Sequence, residues 1–164
     1  MDLQISVFLL FSLFTAGHSL ICYECDYGSC SQTTCPSGST CLSTTVVLNN
    51  TITKGKGCVP ASLCVNGFVS YSSIKASLSC CNTDLCNSQD APEPSNTLNG
   101  KKCYSCDGAT QNCTNILSCS GTEDRCITGT DANQTMVAKG CASKSYCDGA
   151  AAIANPKPWE RLML

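Results

Sequence analysis

Apolar and polar positions alternate in short stretches along most of this chain, with one exception near the N-terminus. There Ile5 to Ala16 forms an unbroken apolar run, followed by Gly17-His18-Ser19. A run of that length with small residues behind it fits a secretory signal, and it is short of the ~20 residues needed to span a bilayer. The expected signal is residues 1–19, although Met1 to Gln4 lacks the usual Lys or Arg. The mature chain would then open on Leu20-Ile21-Cys22. Beyond it a period of two dominates. Leu42 to Leu48 carries Thr44, Thr45, Val46 and Val47, Asn49-Asn50 supplies a turn, and Thr51-Ile52-Thr53-Lys54 runs back. β-Branched residues in alternation predict a hairpin. A second hairpin is predicted with Val69 and Tyr71 on one strand and Ile74, Ala76 and Leu78 on the other. Later, Ile127-Thr128 and Met136-Val137-Ala138 read as strands around a turn at Asp131-Ala132-Asn133. No stretch sustains a helical period, so the pattern predicts an all-β protein built from hairpins.

The cysteines change the scale of the picture. Cysteines 22, 25, 30, 35, 41, 58, 64, 80, 81 and 86 form one set, and cysteines 103, 106, 113, 119, 126, 141 and 147 repeat its first seven members in outline. Both sets open on Cys-Tyr-x-Cys, at Cys22 and Cys103, and both place Lys-Gly-Cys at the sixth cysteine, Cys58 and Cys141. The chain therefore holds two copies of one small module, the second stopping before its last three cysteines. Cysteine is roughly a tenth of the residues, the level of a disulfide scaffold in an exported protein. The expected organisation is a first module at 20–88, a linker at 89–100, an incomplete second module at 101–147 and a tail of different character at 148–164. The linker, with Pro92 and Pro94, should be extended and exposed.

Cys80-Cys81-Asn82-Thr83-Asp84-Leu85-Cys86-Asn87 closes the first set. Together with the Cys-x-x-Cys opening, it resembles the three-finger domains of the lymphocyte-antigen-six and urokinase-receptor family, a fold shared with snake toxins. The resemblance implies tandem three-finger domains, the second truncated. It also implies the bonds Cys22–Cys41, Cys25–Cys30, Cys35–Cys58, Cys64–Cys80 and Cys81–Cys86, with Asn87 hydrogen-bonding across the base. For the second copy it implies Cys103–Cys126, Cys106–Cys113 and Cys119–Cys141. Cys147 is then free, mispaired or joined to a second chain in a disulfide-linked dimer, and a copy lacking its third finger is expected to be loosely folded.

Charge and chemistry narrow the function. The formal net charge is −2 and the basic residues are scattered, so no nucleic-acid footprint is present. The single histidine is His18, which would leave with the signal, so histidine-dependent nucleophilic triads cannot be built. No metal or cofactor is expected, since exported thiols oxidise. Sequons stand at Asn49, Asn112 and Asn133, candidates for glycosylation. Leu48, Lys54, Lys56, Phe68 and Tyr71 on the second and third fingers are the candidate binding residues.

The resemblance implies a secreted, non-enzymatic binder of an extracellular protein, an inhibitor or receptor-like partner in a phospholipase or protease system. Lys157, Pro158, Glu160 and Arg161 stand where a lipid-anchor signal would need a hydrophobic run, so this chain is expected to be soluble. The alternatives are a urokinase-receptor-like surface receptor, lipid-anchored in a longer form, and a toxin-like modulator of a membrane receptor.

Overall fold

The computed structural model describes residues 19–26, 28–106, 113–130 and 137–154. The expected signal run, the Asn112 sequon, the Asp131-Ala132-Asn133 turn with Met136, and residues 155–164 lie outside them. Three hairpins make up the first copy: β1 (Ile21–Asp26) with β2 (Ser29–Thr34), β3 (Ser39–Leu48) with β4 (Thr51–Pro60), and β5 (Gly67–Tyr71) with β6 (Ile74–Cys81). The β3–β4 turn is Asn49-Asn50, with φ of 49° and 66°. Both values are left-handed, which suits the twist of a two-residue hairpin and which asparagine tolerates. β6 also pairs with β3, from Leu48 opposite Ile74 to Cys41 opposite Cys81.

Sulfur fills the base of these fingers. The disulfides are Cys22–Cys41, Cys25–Cys30, Cys35–Cys58, Cys64–Cys80 and Cys81–Cys86. Cys22, Cys35 and Cys41 are buried, with Leu20, Cys58, Cys81 and Cys86 packed around them. So small a core needs staples, and a crosslink closing a ~15-residue loop contributes about 3 kcal/mol by chain entropy. Asn87 locks the base. Its carboxamide accepts the Tyr23 N–H at 2.9 Å and donates to the carbonyls of Tyr23 at 2.8 Å and Leu42 at 3.1 Å.

The second copy comprises β7 (Leu98–Ser105), β8 (Asn115–Ser120), β9 (Arg125–Thr130) and β10 (Val137–Ala142). Its disulfides are Cys103–Cys126, Cys106–Cys113 and Cys119–Cys141. This copy is not a loose appendage. β10 pairs antiparallel with β5, Cys141 opposite Ser70 and Ala142 opposite Val69. One eight-stranded sheet in the order β2-β1-β4-β3-β6-β5-β10-β9 therefore crosses both copies, with β7–β8 as a separate hairpin. The free edge of a third finger presents unpaired backbone groups, and β10 satisfies them.

Two expectations are refined. The linker is extended and ten of its twelve residues are exposed, but it is tied down to the sheet. Ser43 and Thr45 hydroxyls donate to the carbonyls of Gln89 at 2.9 Å and Ala91 at 2.7 Å, and Ser77 donates to that of Pro92. Ala91 is buried at 3% exposure, Pro94 is also buried, and β7 already begins at Leu98. Proline offers no N–H, so a ladder strand is excluded, but its neighbours' carbonyls still accept from hydroxyls on the sheet. The all-β expectation also omits a helix, α1 (Lys144–Ala154). Ser143 Oγ accepts the Tyr146 N–H at 3.4 Å as an N-cap, Lys144 ion-pairs with Asp148, and alanines fill the last turns. Each feature favours helix.

Candidate binding site

The register of the fingers decides which side chains face outward together. Leu48 lies opposite Ile74 across β3–β6, and Ile74 lies opposite Tyr71 across β5–β6. Direct cross-strand partners share a face, so Leu48, Ile74 and Tyr71 form one apolar row. Leu48 and Ile74 remain 44% and 42% exposed. Tyr71 does not share that freedom. It is half-buried, beside Tyr146 of α1. Burial, with Tyr146 nearby, pushes its phenol well above the ordinary tyrosine value.

The remaining candidates are engaged inside the molecule. Lys54 and Lys56 reach the two oxygens of Asp90 at 3.0 and 3.1 Å, and Lys56 also donates to the Ser88 carbonyl at 2.6 Å. Together they clamp the start of the linker to the second finger. Phe68, three positions from Tyr71 on a strand, faces the opposite side. It borders a small cavity lined by Glu93, Ser95, Ser120 and Glu123, at the seam between the copies. Asn49, Asn50 and Thr51 are all exposed at the second finger's tip, whereas Asn112 and Asn133 lie outside the described residues. Ile74 was not among the sequence candidates. Its value depends on standing beside Leu48, and only the β3–β6 register places it there.

The seam has chemistry of its own that no local pattern marks. Glu123 is buried at 3% exposure. Its carboxylate accepts the Ser70 hydroxyl from the first copy, and the Ser120 N–H at 2.9 Å and hydroxyl at 3.3 Å from the second. Ser143 adds a second clasp: its hydroxyl accepts the Phe68 N–H at 3.0 Å and its N–H donates to the Phe68 carbonyl at 2.9 Å. Lys75 ties in the linker by donating to the Ser95 carbonyl at 3.1 Å and to Asn96 Oδ1 at 3.0 Å.

Two groups of three cysteine sulfurs lie close enough to suggest a metal, Cys22 with Cys35 and Cys58, and Cys103 with Cys119 and Cys141. All six sulfurs are in disulfides and so lack the thiolate charge that a metal ligand needs. Cys147 is the free cysteine among the described residues. Burial, with Asp148 adding to it, raises its thiol above the ordinary value.

Hairpin fingers on a sulfur-stapled base, written twice, define a mostly-β, disulfide-rich protein of the extracellular type with tandem three-finger domains. The chain belongs to the snake toxin and toxin-like protein family, which it matches over residues 20–87 and 101–156. Members of that family are usually non-enzymatic binders of other proteins. The chain is 36% identical over 107 residues to the urokinase plasminogen activator surface receptor of Rattus norvegicus, covering 59% of this chain and 32% of the receptor. For the Mus musculus receptor the identity is 34% over 107 residues, with the same 59% and 32% coverage. For the Bos taurus receptor it is 36% over 80 residues, covering 43% and 24%. The chain thus spans at most about a third of the length of these curated relatives. Among the described residues no helix is long and apolar enough to cross a membrane.

Proposed function

We propose that this protein is a secreted, non-catalytic binder that grips an extracellular protein through the tips of its second and third fingers. One observation carries the reading: Leu48 and Ile74 stand side by side, exposed, on strands held by a stapled base. Apolar side chains on a rigid support lose little entropy on docking, and such residues anchor interfaces. Phe68 and Tyr71, packed against the second copy and α1, serve the scaffold in this reading. Lys54 and Lys56 hold the linker. A glycan on Asn49 would sit beside the docking row and limit what can approach it. The binding unit is taken as residues 20–88, with 101–147 as a second, supporting unit.

The ligand class we favour is a secreted protease of the plasminogen-activator type, on the strength of the similarity to urokinase plasminogen activator surface receptors. The test is surface plasmon resonance with the oxidised, secreted chain immobilised. Urokinase-type plasminogen activator and a secreted phospholipase A2 are passed over it in turn. The expected result is saturable binding of the protease, weakened at least tenfold by Leu48→Asp or Ile74→Asp. Binding of the phospholipase alone would move the ligand class to phospholipase inhibition. Binding of either that ignores both substitutions would overturn the fingertip site.

A further inference from the structure

The sequence holds two Asn-Gly dipeptides, Asn66-Gly67 and Asn99-Gly100. Both invite the same chemistry. A glycine has no β-carbon to shield its nitrogen, which can reach the side-chain carbonyl carbon of the asparagine before it. The fold treats the two very differently. Gly67 is half-buried in the ladder, paired with Leu78 across β5–β6. Ser143, Ser145 and the Tyr146 backbone fill the space around it. The Asn66 side chain is committed across the strands, its Oδ1 accepting the Cys80 N–H at 2.6 Å. Attack from Gly67 would require that pairing to open.

Asn99-Gly100 stands outside any such frame. The β7–β8 register passes from Leu98 opposite Ser120 straight to Lys102 opposite Ser118. Asn99, Gly100 and Lys101 therefore bulge out against Cys119 alone. They are exposed, Gly100 has a φ of 85°, and nothing lies within 4 Å of where its β-carbon would be. Asn99 Oδ1 accepts the Lys101 N–H at 3.0 Å. That bond closes an Asx turn over the Gly100 peptide and folds the side-chain carbonyl back along the peptide whose nitrogen would attack it. The same N–H polarises the carbonyl and meets its oxygen as negative charge develops there.

The Asn99 amide also has a structural task. Its Nδ2 donates to the carbonyls of Gly121 at 3.0 Å and Glu123 at 2.9 Å. Both lie in the turn that the Glu123 N–H closes on the Ser120 carbonyl at 3.0 Å. That turn aims the buried Glu123 carboxylate at Ser70 of the first copy. Asn99 thus stands one step behind the seam: it fixes the turn, and the turn fixes the clasp. A carboxylate at this position would offer no donor and would set an oxygen against two carbonyls.

We propose that Asn99 is a self-modifying site, whose deamidation in the β7 bulge loosens the contact between the two copies. The Gly100 nitrogen attacks Asn99 Cγ and a C–N bond forms. The Cγ–Nδ2 bond breaks, and ammonia leaves with the proton that Gly100 gave up. Water then opens the cyclic imide at either carbonyl, leaving aspartate or isoaspartate. Water is the only co-reactant, and nothing is oxidised or reduced. Either product loses both bonds to the 120–123 turn, and isoaspartate also adds a methylene to the main chain of β7. The ammonia is lost to solvent, so the change runs one way and the seam weakens as the protein ages.

The test ages the whole oxidised chain at body temperature and neutral pH. Peptide mapping by mass spectrometry, with fragmentation that separates isoaspartate from aspartate, follows Asn99 and Asn66 in the same samples. Asn99 should convert about tenfold faster than Asn66, which must wait for its strand pairing to open. In the reduced, unfolded chain the two rates should converge. Hydrogen exchange at Ser70 should quicken by about tenfold in the aged protein, and freshly made Asn99→Asp should reproduce that gain. The aged wild type reads the seam whether or not the variant folds well. Asn66 converting as fast as Asn99 in the folded chain would overturn the site. Full conversion of Asn99 with unchanged exchange at Ser70 would overturn its hold on the seam.

Discussion

Gly140 on β10 lies directly against the backbone of Ser70 on β5, so close that a β-carbon at Gly140 would collide with the Ser70 carbonyl oxygen and fall 2.9 Å from a ring carbon of Tyr71. Neither neighbour can retreat easily, because Ser70 and Tyr71 are both held in the sheet on β5. Gly57, its counterpart in the first Lys-Gly-Cys, has nothing within 4 Å of the same position. Gly140→Ala should therefore open the β5–β10 seam at a cost on the order of 1–3 kcal/mol, while Gly57→Ala should change stability by less than about 0.5 kcal/mol. Chemical denaturation of the two variants and hydrogen exchange at Val69 to Tyr71 would read the difference. Equal effects at the two glycines would mean that the seam does not form in solution.

Glu123 joins the copies from the other side of the same seam. Its buried carboxylate accepts from Ser70 and twice from Ser120. Glu123→Ala would strand those donors away from water, at a cost of about 1–3 kcal/mol. The sharper experiment is a double-mutant cycle with Ser70→Ala. If the two copies are coupled through this contact, the combined loss should fall short of the sum of the single losses. Strict additivity would remove Glu123 from the seam.

The hairpins could be anticipated from residues that act locally. Thr44 to Val47 favours a strand whatever its partner, and Asn49-Asn50 suits the left-handed turn between β3 and β4 wherever that hairpin lies. The cysteine repeat likewise announced two copies of one fold. The seam was not legible, because an edge such as Gly67 to Tyr71 has the same alternation whether it meets water or β10. Ser43, Thr45 and Ser77 are polar strand residues whose burial depends on the linker carbonyls that lie above them. Lys54 and Lys56 suggested a docking patch for the same reason: Asp90, their partner, is remote in sequence. Phe68 was separated from Leu48 and Ile74 by strand register, which composition does not encode, and Tyr71, although in their row, by its burial beside Tyr146.

The lysine clamp makes the linker sensitive to pH. Hydrogen bonds from Lys54 and then Lys56 hold the Asp90 carboxyl below its ordinary 3.8. The bond to Asp90 in turn holds the Lys54 ammonium above its ordinary 10.5. A depressed carboxyl contributes above its unfolded pKa and stops contributing as pH falls through the lower folded value. A raised ammonium contributes below its unfolded pKa and stops as pH rises through the higher folded value. The clamp should thus be closed across the neutral range and release at both extremes, weakly and with salt screening, because the groups are exposed. Limited proteolysis between Asp90 and Ser95 should accelerate below about pH 4, and Asp90→Asn should remove that acid limb. Cleavage in the wild type that ignores pH would show that the linker is held by the Ser43, Thr45 and Ser77 hydroxyls alone.

Asn87 offers the cleanest separation of donor from acceptor roles. Its amide accepts one bond, from the Tyr23 N–H, and donates two, to the Tyr23 and Leu42 carbonyls. Asn87→Ala removes all three and leaves partly buried backbone groups without partners, at a cost of about 2–3 kcal/mol. Asn87→Asp keeps the acceptor but sets a carboxylate oxygen against two carbonyls, so above the carboxylate pKa it should be at least as damaging as alanine. Below about pH 4 the protonated acid regains one donor, and the aspartate variant should then recover relative to alanine. Thermal melts of both variants at neutral and acid pH, with the disulfides intact, would test this ordering. Recovery at acid pH would assign the lock to donation. Equal stability of aspartate and wild type at neutral pH would instead leave the N–H of Tyr23 as the bond that matters.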